Sequence, residues 1–185
     1  MASTAPVAVV IMAAGKGTRM RSAVPKVLHT IGGRSLLDHA VAAARGLRPD
    51  HLVVVVRHER DAVVAHLSEV APDAVAADQD ETPGTGRAVA CGLASLPEDL
   101  AGPVVVTSGD VPLLDTATLR ALLAQHVERG DAVTLLTTVL DDPTGYGRVV
   151  READGTVSAI VEQRDASPEQ RAITEINAGV YVFDA

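Results

Sequence analysis

The sequence is poor in cysteine and in aromatic residues. It contains a single cysteine, Cys91, so an internal disulfide is excluded and a reducing compartment is indicated. Tryptophan is absent, and the aromatic rings are those of Tyr146, Tyr181 and Phe183. That is too few for a platform that stacks single-stranded bases. The chain also lacks an uncharged apolar run of roughly 18 residues, which excludes a membrane-spanning helix.

Basic residues are scarce relative to acidic ones. The 16 basic and 24 acidic residues give a formal net charge of −8, which argues against binding to a nucleic-acid backbone. No basic segment precedes the first apolar stretch, so no signal peptide is predicted. The apolar share of 47% is enough to bury a core and excludes disorder. The composition therefore predicts a cytoplasmic domain that acts on a small molecule, with neither nucleic acid nor membrane as a partner.

The apolar pattern alternates between two periods along most of the chain. Short runs rich in β-branched residues predict buried strands, and helical spacing predicts the helices between them. The predicted strands are Val7–Met12, His51–Val56, Ala74–Ala77, Pro103–Thr107 and Asp131–Val139. The predicted helices are Leu36–Leu47, Asp61–Val70, Thr85–Leu96 and Thr116–Arg129. This alternation predicts an α/β fold with an open, mostly parallel, Rossmann-like sheet and helices on both faces.

The pattern changes after Val139. Gly147–Arg151 and Thr156–Val161 flank a turn sequence that predicts a hairpin, and hence a small β insertion around residues 147–161. Gln163–Gln170 is predicted to be a loop or short helix, and Ala178–Phe183 a last strand. Since no repeat or linker marks a boundary, residues 1–185 are interpreted as one domain.

Ligands of open α/β sheets bind at the carboxyl ends of strands, and the loop Ala13–Arg19 follows the first predicted strand. Gly15 and Gly17 allow the backbone to approach a phosphate closely, although the third glycine of a dinucleotide fingerprint and the P-loop pattern are missing. Three cations in or near this loop reverse the local charge: Lys16, Arg19 and Lys26. The loop favours a polyphosphate ligand, and a plain tight turn with solvated lysines is the alternative.

Asp110 follows another predicted strand in the segment Ser108-Gly-Asp110. A carboxylate there can hold Mg²⁺, which binds one or two carboxylates plus substrate phosphates. A turn or N-cap aspartate is the alternative. The six histidines share no metal-ligand spacing, so most are predicted at the surface or at caps, and Cys91 is predicted in the core. The glycine loop, its cations and Asp110 together favour Mg²⁺-dependent phosphoryl chemistry.

Several motifs occur in a fixed order. They are Met12–Met20, Pro25–His29, Pro83–Val89, Gly109–Leu114, Asp141–Arg148, Ile160–Gln163 and Glu175–Gly179. The first two resemble the signature of the sugar-1-phosphate nucleotidylyltransferases. The whole set is similar to the uridylyltransferase domain of the bifunctional N-acetylglucosamine-1-phosphate uridylyltransferase / glucosamine-1-phosphate acetyltransferase family. The likeness runs from about Val7 to the last residue.

This resemblance implies Mg²⁺-dependent transfer of UMP from UTP to N-acetylglucosamine 1-phosphate, giving UDP-N-acetylglucosamine and pyrophosphate for peptidoglycan synthesis. It implies that Asp110 holds the metal, that Arg19 neutralises the leaving pyrophosphate and that Lys26 neutralises the transferring phosphate. The residues implied on the nucleotide side are Met12, Ala13, Ala14, Gly15, Lys26, Gln79, Gly84 and Thr85. Those implied for the acetamido sugar are Gly147, Glu162 and Asn177.

Two positions depart from the family pattern beside the base site. Arg87 stands where the family usually has histidine, and Pro83 stands where leucine is common. They leave open the alternative of another nucleotide-sugar pyrophosphorylase of the same fold. The apparent truncation of the family's domain leaves open a second alternative, a nucleotide-sugar binding module without turnover. The resemblance also implies a nucleotidyltransferase domain cut short at its C-terminus, and a β-helix acetyltransferase domain that this chain lacks. Since that second domain builds the family's trimer, a homo-oligomer is expected only of the full-length protein.

Overall fold

The computed structural model describes residues 5–17 and 20–185. The chain divides into two compact units: Met1–Thr134 with Tyr181–Ala185, and Leu135–Val180. Within the described residues, no helix combines the length and the apolar character needed to cross a bilayer.

The first unit is built on a parallel sheet. The first six strands of the chain lie in this unit: β1 (Ala8–Met12), β2 (Thr30–Ile31), β3 (Arg34–Ser35), β4 (His51–Val56), β5 (Val75–Asp78) and β6 (Pro103–Ser108). Four of them pair in the order β5-β4-β1-β6, all parallel, with Val10 in register with Val53 and Val106. β2 and β3 form a separate antiparallel hairpin, which the sequence does not predict because two-residue strands carry no periodicity.

Four helices cover the sheet, as predicted. They are α1 (Leu36–Arg45), α2 (Arg60–Val70), α3 (Thr85–Leu93) and α4 (Thr116–Arg129), and a 3-10 turn spans Lys26–Leu28. Successive strand side chains point to opposite faces. Val53 and Val55 belong to the cluster that includes Ala88 of α3, while Val54 and Val56 are also fully buried. Both faces of the sheet are therefore covered.

Gly92 sets how closely α3 approaches the sheet. A Cβ on this residue would lie 2.8 Å from Val10 Cγ1 and 2.9 Å from Val55 Cγ2. Real Cβ atoms are not found at such distances from a methyl carbon. The missing side chain thus lets the C-terminal end of α3 pack directly on β1 and β4.

The second unit contains the predicted hairpin. β7 (Val133–Val139) and β10 (Glu175–Asp184) each belong partly to both units, and β8 (Arg148–Arg151), β9 (Val157–Val161) and α5 (Pro168–Arg171) lie within the second. β8 and β9 pair antiparallel, with Val149 opposite Ile160, so the hairpin prediction is confirmed. In β10, Ile176 pairs with Arg148 of β8, whereas Tyr181–Asp184 pairs antiparallel with β6.

His126 is an exception to the prediction that most histidines lie at the surface or at caps. This α4 residue is 2% exposed. Its Nδ1 lies 2.9 Å from Thr134 Oγ1, and its Nε2 lies 3.3 Å from Asp184 Oδ1. The ring is buried because hydroxyl and carboxylate partners on β7 and β10 satisfy both nitrogens. Cys91, predicted in the core, is only half-buried.

Candidate functional site

A cavity of about 540 Å³ opens at the carboxyl ends of the parallel strands of the first unit. Each of the four strands delivers residues to it: Ala13 follows β1, Arg57 follows β4, Gln79 follows β5, and Asp110 lies just beyond β6. A volume of this order is typical of small-molecule sites. The position agrees with the rule that ligands of open α/β sheets bind at this edge.

The glycine loop after β1 forms one wall of the cavity. Its backbone is held by a 2.8 Å hydrogen bond that Ala13 N donates to Val55 O. Gly17 has a φ of +63°, and a Cβ there would lie 2.6 Å from Lys26 Cβ, so only glycine allows Lys26 to pack at this point. Arg19, a predicted catalytic residue, lies outside the described residues.

A second wall is formed by the segment between β5 and α3. Gln79 Nε2 donates to Thr82 O at 2.9 Å and to Gly84 O at 3.3 Å, which holds the turn in place. Arg57 adds a 3.0 Å hydrogen bond to Glu81 O. α3 begins after Gly84, whose φ is 119°, and no side chain caps the helix. The first amides of α3 therefore lie beside the cavity without a capping side chain to satisfy them.

Arg87 lies outside the cavity and stabilises this wall through Asp80. Its Nε donates to Asp80 Oδ2 at 2.8 Å, and Asp80 Oδ1 accepts from Thr82 N at 3.0 Å. The hydrogen bond from Arg87 lowers the pKa of Asp80 to about 2. Arg87 does not line the cavity, whereas Pro83 does.

Lys26 and Asp110 meet inside the cavity. Lys26 Nζ forms an ion pair with Asp110 Oδ2, and Ser108 Oγ donates to Asp110 Oδ1 at 2.5 Å. Burial alone would raise the pKa of Asp110, but the hydrogen bonds from Lys26 and Ser108 outweigh it and lower that pKa below its ordinary value. The aspartate is therefore a carboxylate that faces a cation.

The donor set at Asp110 bears on which metal could bind. Asp110 is the only acidic side chain lining the cavity among the described residues, and that part of the chain contains no cluster of three or more histidine, cysteine or acidic side chains suited to a metal. Such a set does not suit Zn²⁺, which takes three or four protein ligands. It fits Mg²⁺, which completes its shell with water and substrate phosphates.

The structure brings together most residues that the sequence singles out. Nine of the residues that the resemblance implies for the site line this one cavity: Met12, Ala13, Ala14, Gly15, Lys26, Gln79, Gly84, Thr85 and Asp110. Sequence reasoning missed Arg57 and His58, which also line it. Both directly follow β4, so the strand-end rule that drew attention to Asp110 could have found them.

Gly147, Glu162 and Asn177 belong to the second unit and meet within it. Asn177 N donates to Gly147 O at 2.9 Å. A Cβ on Gly147 would lie 3.3 Å from Glu162 Oε1, so the carboxylate rests against the bare glycine. Asn177 Oδ1 accepts from Gly179 N at 3.0 Å. Three residues from separate motifs thus form one polar cluster.

Residues 9–172 match the family of the MobA-like NTP transferase domain. The chain belongs to this family. As a MobA-like NTP transferase domain, it has the open α/β architecture and strand-end cavity described above. The fold predicted from the sequence is thereby confirmed.

Curated relatives of this MobA-like domain are named Bifunctional protein GlmU. The protein from Kineococcus radiotolerans is 58% identical over 180 residues, which cover 97% of this chain and 36% of the relative. The protein from Clavibacter sepedonicus is 59% identical, over 97% of this chain and 36% of the relative. The protein from Mycolicibacterium vanbaalenii is also 59% identical, over 96% of this chain and 37% of the relative. The chain therefore spans a little over a third of the length of these relatives.

Solved structures share the fold of this MobA-like domain. A protein described as a glucose-1-phosphate thymidylyltransferase, from Bacillus anthracis in complex with sucrose, superposes with a TM-score of 0.77 at 21% identity, covering 95% of this chain and 70% of that one. A 4-diphosphocytidyl-2C-methyl-D-erythritol synthase from Anaerococcus prevotii gives 0.63 at 15% identity, covering 98% and 72%. At these identities the likeness concerns the fold alone.

Proposed function

We propose that this chain is a nucleotidyltransferase domain that transfers UMP from UTP to N-acetylglucosamine 1-phosphate, releasing pyrophosphate. The observation that carries the proposal is the gathering of eight motif residues, together with Gln79, around one strand-end cavity. The high identity to proteins named Bifunctional protein GlmU supports the same activity.

The triphosphate is assigned to the glycine loop and the cations beside it. Backbone at Ala13, Ala14 and Gly15 can approach phosphate oxygens because the loop carries small side chains. Lys16, Lys26 and Arg57 line the same cavity and supply positive charge. On the resemblance alone, Arg19 is assigned to the leaving pyrophosphate. In phosphoryl-type transfers, positioning and charge neutralisation do most of the work.

Mg²⁺ is assigned to Asp110. When bound there, the ion would neutralise charge on the nucleotide phosphates. Lys26 contacts this carboxylate in the structure, and its release would free the ammonium for the transferring phosphate. Lys26 and Asp110 are thus paired with each other before they serve the substrate.

The base is assigned to Gln79, Gly84 and Thr85. Gln79 is already fixed by its bonds to Thr82 O and Gly84 O, so amide and backbone groups are preorganised for the edge of a base. A base that covers these groups has to pair with them, and a wrong base is rejected because it would leave them unpaired. The acetamido sugar is assigned to the cluster of Gly147, Glu162 and Asn177.

The proposal is tested by pyrophosphate release from UTP and N-acetylglucosamine 1-phosphate with Mg²⁺. Asp110→Asn is expected to lower kcat by at least about 100-fold, the usual effect of removing one group that stabilises transition-state charge. The matched control is Asp61→Asn, since Asp61 is 98% exposed on α2 and lies outside the cavity. Wild-type chain without turnover, or full activity in Asp110→Asn, would contradict the assignment.

A second candidate is transfer of a different nucleotide. Pro83 lines the cavity where the family commonly has leucine, and it removes a backbone donor beside the base. A panel of UTP, dTTP, CTP and ATP decides between the two, and the first proposal requires a kcat/KM for UTP above all others. Tight binding of UDP-N-acetylglucosamine by calorimetry without turnover would instead indicate a binding module.

A further inference from the structure

Arg148 is a buried cation that the function assigned so far does not use. It opens β8, is 1% exposed and is the largest of the fully buried side chains. In register it lies between Val161 of β9 and Ile176 of β10. Within residues 5–17 and 20–185, none of the ion pairs includes it, and its Nε has no hydrogen-bond partner. The carboxylate that feels its charge is that of Asp142. A guanidinium buried in this way is costly, so its presence calls for a reason.

The guanidinium holds one short loop, Gly145–Gly147. Its Nη1 donates to Tyr146 O, and its Nη2 donates to Gln163 Oε1 at 2.6 Å. Gln163 Oε1 also accepts from Gly145 N, at 3.4 Å. The loop is therefore fixed at two successive residues by a planar fork and the amide oxygen that it orients.

This loop delivers Gly147 to the polar cluster of the second unit. Gly147 O accepts from Asn177 N, and the bare Cα of Gly147 faces Glu162 Oε1. Gln163, whose side-chain oxygen accepts a hydrogen bond from Arg148, directly follows Glu162. Arg148 thus holds Tyr146, which precedes Gly147, and Gln163, which follows Glu162.

We propose that Arg148 is a positioning residue for the acceptor sugar phosphate. It preorganises the loop 145–147 and Glu162, so that the cluster of Gly147, Glu162 and Asn177 binds without reordering. The inference rests on the proposed function, because it takes that cluster as the acceptor subsite. Since the residues assigned to UTP lie in the first unit, loss of Arg148 affects the two substrates unequally.

The test compares KM values in the full chain. Arg148→Met, which keeps bulk and removes the donors, is expected to raise KM for N-acetylglucosamine 1-phosphate at least tenfold and to change KM for UTP less than twofold. The KM of Arg148→Lys for N-acetylglucosamine 1-phosphate is expected to lie between those of wild type and Arg148→Met. One ammonium group cannot bond to both Tyr146 O and Gln163 Oε1 as the two Nη atoms of a guanidinium do. The control is Arg151→Met in the same strand, whose half-exposed side chain pairs with Glu175 instead. Equal changes in both KM values, or none, would overturn the inference.

Two further measurements keep the inference testable if Arg148→Met folds poorly or if the chain shows no turnover. Gln163→Leu removes the acceptor shared by Arg148 and Gly145, whereas Gln163→Glu keeps it, so only the leucine variant is expected to raise the acceptor KM. Hydrogen exchange at the Asn177 amide needs no turnover, and Arg148→Met is expected to accelerate it at least tenfold while Arg151→Met does not. Wild-type chain without turnover refutes the proposed function, and unchanged exchange refutes the positioning role.

Discussion

The close packing around Gly92 decides whether the substitution Gly92→Ala raises or lowers the free energy of unfolding. Gly92→Ala gains about 1 kcal/mol of helix propensity. Its new Cβ would however lie 2.8 and 2.9 Å from methyl carbons of Val10 and Val55, and overpacking of a core costs about 1–3 kcal/mol. Since these methyl groups sit on buried strands and cannot swing away, we expect a net loss of about 1 kcal/mol in the free energy of unfolding.

Gly86, on the same helix, is the matched control. Nothing lies within 4 Å of a Cβ built there, so Gly86→Ala is expected to stabilise by about 0.5 kcal/mol through the unfolded state. Urea unfolding followed by circular dichroism separates the two. At a slope of about 2 kcal/mol/M, the midpoint falls by about 0.5 M for Gly92→Ala and rises by about 0.25 M for Gly86→Ala. A Gly92→Ala protein as stable as wild type would refute the reasoning.

Two further predictions concern charged pairs. Lys26→Ala removes the cation that contacts Asp110. Mn²⁺, used as a spectroscopic probe in the absence of nucleotide, is therefore expected to bind up to about fivefold more tightly. An unchanged Mn²⁺ affinity in an electron paramagnetic resonance titration would contradict this. The hydrogen bond from Arg151 lowers the pKa of Glu175 from 4.5 to about 2, so this pair stabilises the fold above about pH 4.5 and the contribution is lost as the pH falls towards 2. Glu175→Gln is therefore expected to lower Tm at pH 7 and to flatten its pH dependence between 4.5 and 2, and parallel thermal melting curves for the two proteins across that range would count against it.

The regular elements could be predicted because their signals are local. The valine-rich segment His51–Val56 is β4 with the same bounds, and Thr116–Arg129 is likewise α4. The predicted end of α3 is wrong: the helix ends at Leu93 and not at Leu96, since the apolar spacing continues beyond the last helical hydrogen bonds. The cavity was predictable in outline because parallel strands place their following loops at one edge.

What the sequence could not reveal depends on partners that lie on other segments and meet only in the folded chain. Arg148 and His126 are polar residues that composition alone would place at the surface. Their burial is possible because Gln163 and Thr134, respectively, meet them in the folded chain. The pairing of Lys26 with Asp110 is of the same kind, since the 3-10 turn that carries Lys26 and the loop that carries Asp110 meet only in the folded chain.

The bonds of His126 carry a consequence for protein engineering. Thr134 is the last residue of the first unit before the chain leaves it, and Asp184 lies in the segment that returns. One imidazole ring contacts both, so the outgoing and returning chains lie side by side at this point. Neighbouring chain ends are the arrangement that tolerates domain insertion and circular permutation. Residues 135–180 can therefore be treated as a cassette, and grafting in the corresponding segment of another family member is expected to leave the parallel sheet of the host intact.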